Sequence, residues 1–469
     1  MKLPFKRGDI LENILVEDMT TEGHGVARVD RAVLFIAGGA PGDIANIRVI
    51  RTKKKHGEAV IEQLLQPSTF RVTPACEHFG TCGGCKMQHI AYSQQLTLKE
   101  KVVVDAFQRI GKVDFPELLP ILGSANVFQY RNRLDYACAT KRWLTEQEIQ
   151  SDAIINEAAI GFHVPGRFDK VLDVRRCHLQ DEFTNTIRNA VRTYAIANGL
   201  TFFDPISQEG FLRNVIVRST STGQWMVIVV FKSEDEAGRI GLLTHLRDQY
   251  PAITSLLYII NEKRNDTIFD QEVVCFSGND HIVEEMEGLK FKISAKSFYQ
   301  TNSLQAYELY KITREFAGLT GQENVYDLYT GTGTIAQFVA TKARQVAGID
   351  YIEDAILDAR LNAERNGVKN VRFQAGDLKD TLNDDFINEN GVPDVIITDP
   401  PRSGMHPDVV QKILQLKPQR IVYVSCNPTT QARDVQMMSD QYRIEKIRPV
   451  DMFPHTTHVE CVVLLVRND

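Results

Sequence analysis

Val395-Ile396-Ile397-Thr398-Asp399-Pro400-Pro401-Arg402 opens the stretch that decides the fold, and Arg420-Ile421-Val422-Tyr423-Val424-Ser425-Cys426-Asn427-Pro428 closes it. Two short runs rich in β-branched residues, separated by a helix-length segment, read as strands of a parallel sheet. A proline just past each run ends the strand, because it has no N–H to give the ladder. The pattern therefore sets an acid, Asp399, and a thiol, Cys426, at the carboxyl ends of two strands. Open α/β sheets bind their ligands at that edge. A cysteine there is a candidate nucleophile, the alternative being a packing role beside a turn.

Working outward, Glu323-Asn324-Val325-Tyr326-Asp327-Leu328-Tyr329 begins a strand–helix alternation that lasts to the end of the chain. Its first turn, Thr330-Gly331-Thr332-Gly333-Thr334, lets a nucleotide-like ligand approach the backbone. Without a third glycine it does not suit a dinucleotide. The run Gln345-Val346-Ala347-Gly348-Ile349 ends at Asp350, where an acid can bond ribose hydroxyls. A third run, Val371-Arg372-Phe373-Gln374-Ala375, leads to Asp377, placed for an adenine amino group. Acids ending three strands beside a glycine turn suit an adenosine that carries no pyrophosphate, S-adenosylmethionine rather than NAD. Downstream, Glu460 stands at the mouth of the apolar run Cys461-Val462-Val463-Leu464-Leu465-Val466. Partial desolvation there should raise its pKa towards that of a useful general base. Cys461 alternates to the other side and reads as packing.

Residues 8–66 read as a compact barrel of five short strands with no helix, carrying the basic loop Arg51-Thr52-Lys53-Lys54-Lys55-His56. Next comes Cys76-Glu77-His78-Phe79-Gly80-Thr81-Cys82-Gly83-Gly84-Cys85. Three cysteines interleaved with glycines are poor core filling, and Gly83 and Gly84 let the backbone fold back so that the thiolates converge. A tetrahedral site or a cubane wants a fourth ligand. Cys138 and Cys275 lie in apolar runs and read as buried. Cys177, between Arg176 and His178, is the choice. Spacing leaves zinc and iron–sulfur open. Residues 125–288 are strand-rich, and the alternation along 212–218 puts Leu212, Asn214, Ile216 and Arg218 on one face. Arg131, Arg133, Arg167, Lys170, Arg175 and Arg176 are candidates for a phosphate-binding surface around the cysteine loop, with Phe79 and Phe162 able to stack on bases. The helical stretch from 92 to 111, with Tyr92, Leu96, Val103, Phe107 and Ile110 at helical spacing, suits packing against a neighbouring domain.

At 469 residues, 43% hydrophobic and 24% charged, the chain is a globular protein of about three domains. No run approaches the ~20 apolar residues needed to span a bilayer, and no signal peptide is read at the start. A cytoplasmic setting is expected, with the eight cysteines reduced. The net charge of −6 gives no overall pull towards nucleic acid, so local basic patches must do that work.

Taken together, Ser297-Phe298-Tyr299-Gln300-Thr301-Asn302, Asp327-Leu328-Tyr329-Thr330-Gly331-Thr332-Gly333, Asp399-Pro400-Pro401-Arg402, Ser425-Cys426-Asn427-Pro428 and His458-Val459-Glu460 resemble the RNA uracil-C5-methyltransferase family over nearly the whole chain. Gly23-His24-Gly25-Val26-Ala27 and the run 35–43 resemble a TRAM domain, an RNA-binding barrel. The barrel and the Cys76, Cys82, Cys85 and Cys177 set are similar to the bacterial branch that methylates 23S ribosomal RNA and holds a 4Fe-4S cluster. The branch that modifies transfer RNA typically lacks both additions.

The fold so implied is α/β. A Rossmann-like S-adenosylmethionine-dependent methyltransferase domain (289–469) follows a TRAM/OB-like β-barrel (1–67) and a β-rich iron–sulfur domain (68–288), the stretch 92–123 packing on the methyltransferase domain. The resemblance implies Cys426 as nucleophile on C6 of a uracil, Glu460 as base for the C5 proton, and Asp399 near both base and cofactor. Gln300, Tyr329, Thr334, Asp350 and Asp377 would hold S-adenosylmethionine. Asp350 departs from the family, which commonly has Glu there, and Thr330 and Thr334 also stand where other residues are common. The expected partner is RNA, 23S ribosomal RNA, with neither DNA nor membrane. An exocyclic-amine methyltransferase is the nearest alternative, but it would usually want an aromatic residue at Arg402 and has no use for Cys426. A non-catalytic RNA-binding protein would leave Cys426 and Glu460 idle. A radical S-adenosylmethionine enzyme wants three residues, not five, between its first two cysteines.

Overall fold

The computed structural model describes residues 3–116, 118–144, 146–151 and 158–468. Its C-terminal part is a seven-stranded sheet in the order Val371–Ala375, Gln345–Asp350, Asn324–Leu328, Val395–Thr398, Arg420–Ser425, Glu460–Arg467, Tyr442–Val450. The first five strands are parallel, and Glu460–Arg467 runs antiparallel to both of its neighbours. The order reverses between Asn324–Leu328 and Val395–Thr398, the switch point at which such sheets leave a crevice. Every residue of those two strands is buried, as befits strands covered on both faces. Ser303–Ala317, Thr334–Ala340 and Glu353–Arg365 cover one face through Leu309, Phe316, Phe338 and Ile356. Pro407–Leu416 and Pro428–Met438 cover the other through Val410, Ile413, Ala432 and Val435. Tyr442–Val450 goes unread in sequence because charged residues alternate through it, the pattern of an edge strand.

The helix Tyr92–Asp105 and the π-type turn Ala106–Gly111 pack on this second face, with Val103, Ala106 and Phe107 in its core. The buried stripe is Gln95, Lys99, Val103 and Phe107, so two polar residues occupy positions that an apolar count passes over. Ile110 is 44% exposed, because the wider π turn rotates it out of the helical stripe.

The central part is a second seven-stranded sheet, antiparallel except where Trp225–Phe231 lies parallel to Ile253–Ile260. Two helices that the strand-rich reading omits, Glu182–Ala197 and Glu236–Gln249, cover one face. The face assignment for 212–218 needs correction. A bulge between Leu212 and Asn214 turns Leu212 in with Val215 and Val217, while Ile216 joins the opposite core. Cys275, which its apolar run suggests is buried, is exposed on the edge strand Val274–Gly278.

At the N-terminus six strands, the extra one being Asp18–Met19, form a sheet in which Val16 N–H bonds Asp43 O and Glu17 N–H bonds Val26 O across the first turn. The buried Asp43 carboxylate takes N–H groups of Ala40 and Ser68 and the Arg71 guanidinium at 2.8 Å, which tie the module to the next segment. Burial would raise its pKa, but these donors outweigh it and hold the carboxyl below its ordinary value. Among the described residues, no helix is long and apolar enough to cross a membrane.

Candidate active site

Asp399 follows Val395–Thr398 directly, and its N–H bonds Leu328 O across the switch point. Cys426 follows Arg420–Ser425. Glu460 reaches the same edge from the opposite direction. Because its strand is antiparallel, its first residue lies where the parallel strands end, with Cys461 paired to Ser425. The turns are stitched together by Asn427. Its Oδ1 caps the helix Pro428–Met438 by accepting from Thr429 N–H at 3.1 Å, and its Nδ2 donates to Arg402 O at 2.9 Å. Pro428 thus both ends a strand and opens a helix, where its missing N–H costs nothing.

These groups share one electrostatic environment. Burial pushes Glu460 up to about 8, the nearby Asp399 charge adds to this, and Arg402 pulls back. Burial likewise takes Asp399 up to about 7. The Cys426 thiol is raised by burial and then by Glu460 and Asp399, and Arg402 opposes them as a charge and as a hydrogen-bond donor. Arg402 also donates to His458 Nδ1 at 3.0 Å, which requires that nitrogen to be unprotonated. The sequence reading gave Arg402 and His458 no task. Their signal was present in the quoted motifs, but only the tertiary fold shows that the two turns meet. Asp327, buried at the end of Asn324–Leu328, is held up at about 7 by burial, although Thr330 Oγ1 donates to it at 2.5 Å.

Tyr329, Thr334, Asp350 and Asp377 lie along the same sheet edge. Tyr329 has φ 63°, a left-handed conformation rare for a non-glycine residue and often found at functional turns. A Cβ on Gly333, φ 74°, would stand 2.7 Å from Phe373 Cζ, so only glycine lets this turn lie on that ring. Thr334 opens the next helix, its Oγ1 3.3 Å from Thr332 Oγ1. Asp350 accepts from Gly331 N–H and Ile352 N–H, each at 2.9 Å, which fixes its carboxylate under the glycine turn with lone pairs left for a ligand. Asp377 is exposed, caps the short helix Leu378–Thr381 and pairs with Lys379 at 3.2 Å. Gln300 lies in a loop docked on the central sheet, Asn132 Nδ2 donating to Gln300 O and Asn132 N–H to Thr301 O.

Cys76, Cys82, Cys85 and Cys177 line one cavity of about 620 Å³, together with Phe79, Arg131, Arg133, Phe162 and Arg176. Arg167, Lys170 and Arg175 do not line it. Arg133 is paired with Asp135 and Arg167 with Asp169. Burial raises all four thiols, Cys82 to about 11 and Cys85 to about 12, and the other cysteines add to this at each of them but Cys76. Among the described residues, no group of three or more His, Cys, Asp or Glu stands ready to hold a metal ion.

The profile of the tRNA (uracil-5-)-methyltransferases matches residues 217–468, and that of the TRAM domain matches residues 5–61. A protein of Bacteroides thetaiotaomicron described as an uncharacterized RNA methyltransferase is 55% identical over 95% of this chain and 99% of its own length. One of the same description from Chlorobaculum tepidum is 38% identical over 99% of the chain and 98% of its own. The crystal structure of Pyrococcus abyssi tRNA (uracil-54, C5)-methyltransferase in complex with S-adenosyl-L-homocysteine superposes with a TM-score of 0.75 at 30% identity, covering 96% of this chain and 99% of that one. With the switch-point crevice and the Asp399, Cys426 and Glu460 edge in place, these matches mean that the chain belongs to the RNA (uracil-5-)-methyltransferase family, a TRAM domain joined to an S-adenosylmethionine-dependent methyltransferase fold.

Proposed function

We propose that the enzyme methylates C5 of a uridine in 23S ribosomal RNA, in the cytoplasm, through a covalent bond between Cys426 and C6. The observation that carries this reading is the meeting of a thiol, two raised carboxyls and a guanidinium at one crevice mouth. An aromatic carbon is a poor nucleophile, and addition of the Cys426 thiolate to C6 moves an electron pair onto C5. S-Adenosylmethionine supplies the methyl group that C5 takes. Glu460, ionised, then accepts the C5 proton, the C5–C6 double bond re-forms and the Cys426–C6 bond breaks. Arg402 favours the thiolate that starts the sequence, and Asp399 lies beside both acid and thiol. Gln300, Tyr329, Thr334, Asp350 and Asp377 border the cofactor side, and the uridine must leave its stack to enter.

The four cysteines around one cavity support a 4Fe-4S cluster. Each thiolate of a cubane binds a different iron, so its ligands stand farther apart than those of a single ion. With Arg131, Arg133 and Arg176 on the same wall, the cluster would shape an RNA-binding surface. On this reading the chain divides at 67/68 and 288/289. A second reading, a transfer RNA substrate, is favoured by the Pyrococcus abyssi neighbour. That neighbour's match spans 96% of this chain, so overall layout does not separate the two RNA classes.

The test uses 23S and transfer RNA carrying 5-fluorouridine, with S-adenosylmethionine and a Cys426→Ala control. Fluorine cannot leave as a proton, so a stalled adduct should appear on a denaturing gel with one RNA and be absent from the control. Methylated natural RNA made by Cys426→Ala would overturn the nucleophile assignment, and an adduct on transfer RNA alone would overturn the ribosomal substrate.

A further inference from the structure

Glu460 is delivered by a strap, residues 451–459, and polar groups of its first half are tied to other parts of the molecule. Asp451 pairs with the buried Lys99 at 2.5 Å and accepts from Tyr92 OH at 2.8 Å. Met452 O accepts from Asn302 Nδ2 at 2.9 Å, Phe453 O from Lys99 Nζ at 3.1 Å, and Pro454 O from Tyr130 OH at 2.9 Å. The centre of the strap is His455. Its carbonyl accepts from both Lys86 N–H at 2.7 Å and Met87 N–H at 3.0 Å, the two residues that follow Cys85. Its N–H donates to Gln95 Oε1 at 3.0 Å, and its Nδ1 lies 3.1 Å from Gln95 Nε2. The two N–H bonds of Gln95 Nε2 are shared among Met87 O, Ile90 O and His455 Nδ1, which fixes the amide orientation and makes Nδ1 an acceptor.

Two further features mark this residue. His455 has φ 64°, a left-handed conformation that a non-glycine residue keeps only when its surroundings hold it there. The residue is 6% exposed, its ring stacks on Phe128 at 4.4 Å, and burial brings its pKa down to about 4, so the ring stays neutral and Nδ1 free to accept. The N-terminal barrel touches the same spot. A Cβ on Gly23 would meet Lys86 Cβ at 2.8 Å and Thr457 Cγ2 at 3.5 Å.

We propose that His455 is a positioning residue, through which Gln95 and the backbone after Cys85 hold the strap so that Glu460 faces C5 of the bound uracil. This rests on the reading of Glu460 as the base. On the proposed reading the cysteine loop and the barrel would meet RNA, and through His455 they are joined to the strap that carries the proton-removing Glu460; the nucleophile's turn, held by Asn427 and Arg402, touches the strap separately through His458.

The test compares wild type, Glu460→Gln, His455→Leu, His455→Asn and Gln95→Met, all full-length, on RNA with tritium at C5 of the target uridine. Binding of RNA and of S-adenosylmethionine, adduct formed with 5-fluorouridine RNA, adduct trapped with natural RNA and tritium release are measured for each. His455→Leu and Gln95→Met should bind both ligands as wild type and form the fluorouridine adduct at its rate. They should release tritium about 10- to 100-fold more slowly, the scale of a small misplacement of a reacting group, and accumulate methylated adduct on natural RNA as Glu460→Gln does. Asparagine tolerates the left-handed backbone and can offer an oxygen near the place of Nδ1, so His455→Asn should recover most of the rate. If Glu460→Gln accumulates no adduct, the base assignment fails. If it does so while His455→Leu and Gln95→Met lose adduct formation and tritium release equally, or keep the wild-type release rate, the positioning role is overturned. Gln95→Met, which leaves the strained backbone of residue 455 unaltered, decides the matter should His455→Leu not fold.

Discussion

Replacing Glu460 by Gln should stabilise the protein without ligands at alkaline pH and leave its acid-side stability nearly unchanged. Glu460 is 7% exposed, and its carboxyl is pushed from 4.5 to about 8, by burial first and then by Asp399. A group whose folded pKa is raised contributes stability that is fully present below its unfolded pKa and lost as pH rises through the folded one. Between about pH 5 and pH 8 the unfolded chain has released a proton that the folded chain still holds, at about 1.4 kcal/mol per pH unit. Wild type therefore loses roughly 3–4 kcal/mol across that window through this group, and a neutral amide loses none. Thermal unfolding at pH 5, 6.5, 8 and 9 should show the two proteins closest at pH 5, with Glu460→Gln gaining several degrees by pH 9. A gap independent of pH would refute the claim that Glu460 sits desolvated beside Asp399. A gap widening towards acid would mean that Glu460 is ionised and paired, and its role as a base held near neutrality would fall with it.

Further predictions concern the neighbouring groups. Arg402→Met should slow alkylation of Cys426 by iodoacetamide near neutral pH roughly three-fold or more, because the remaining charges beside the thiol, Glu460 and Asp399, both disfavour the thiolate; mass spectrometry of the labelled peptide reads this. Gly333→Ala should weaken S-adenosylmethionine binding at least about ten-fold in calorimetry, since a Cβ 2.7 Å from Phe373 and a strained φ of 74° both displace the turn. Lys99→Met should cost about 3–5 kcal/mol in denaturant unfolding by leaving the buried Asp451 carboxylate without its cation, and Lys99→Met with Asp451→Leu should restore part of this.

The apolar runs ending in Asp399, Cys426, Asp350 and the glycine turn identified a parallel sheet and its ligand-binding edge, because strand period, proline stops and glycine turns are local properties of the chain. The same local logic placed the barrel and the cysteine loop. It failed where the third dimension supplies the partner. Lys99 and Gln95 look like solvated positions until Asp451 and His455 arrive from more than three hundred and fifty residues away. The bulge that turns Leu212 inward and the π turn that turns Ile110 outward break the periods on which a face assignment depends. The candidate residues stood out in the sequence because Asp399 and Cys426 each follow the end of a strand and Glu460 opens one. Their pKa values, the pairing of Arg402 with His458 and the bracing of the Glu460 strap were not. Desolvation and charge coupling depend on which strand ends lie side by side, and only the sheet order with its one reversed strand settles that.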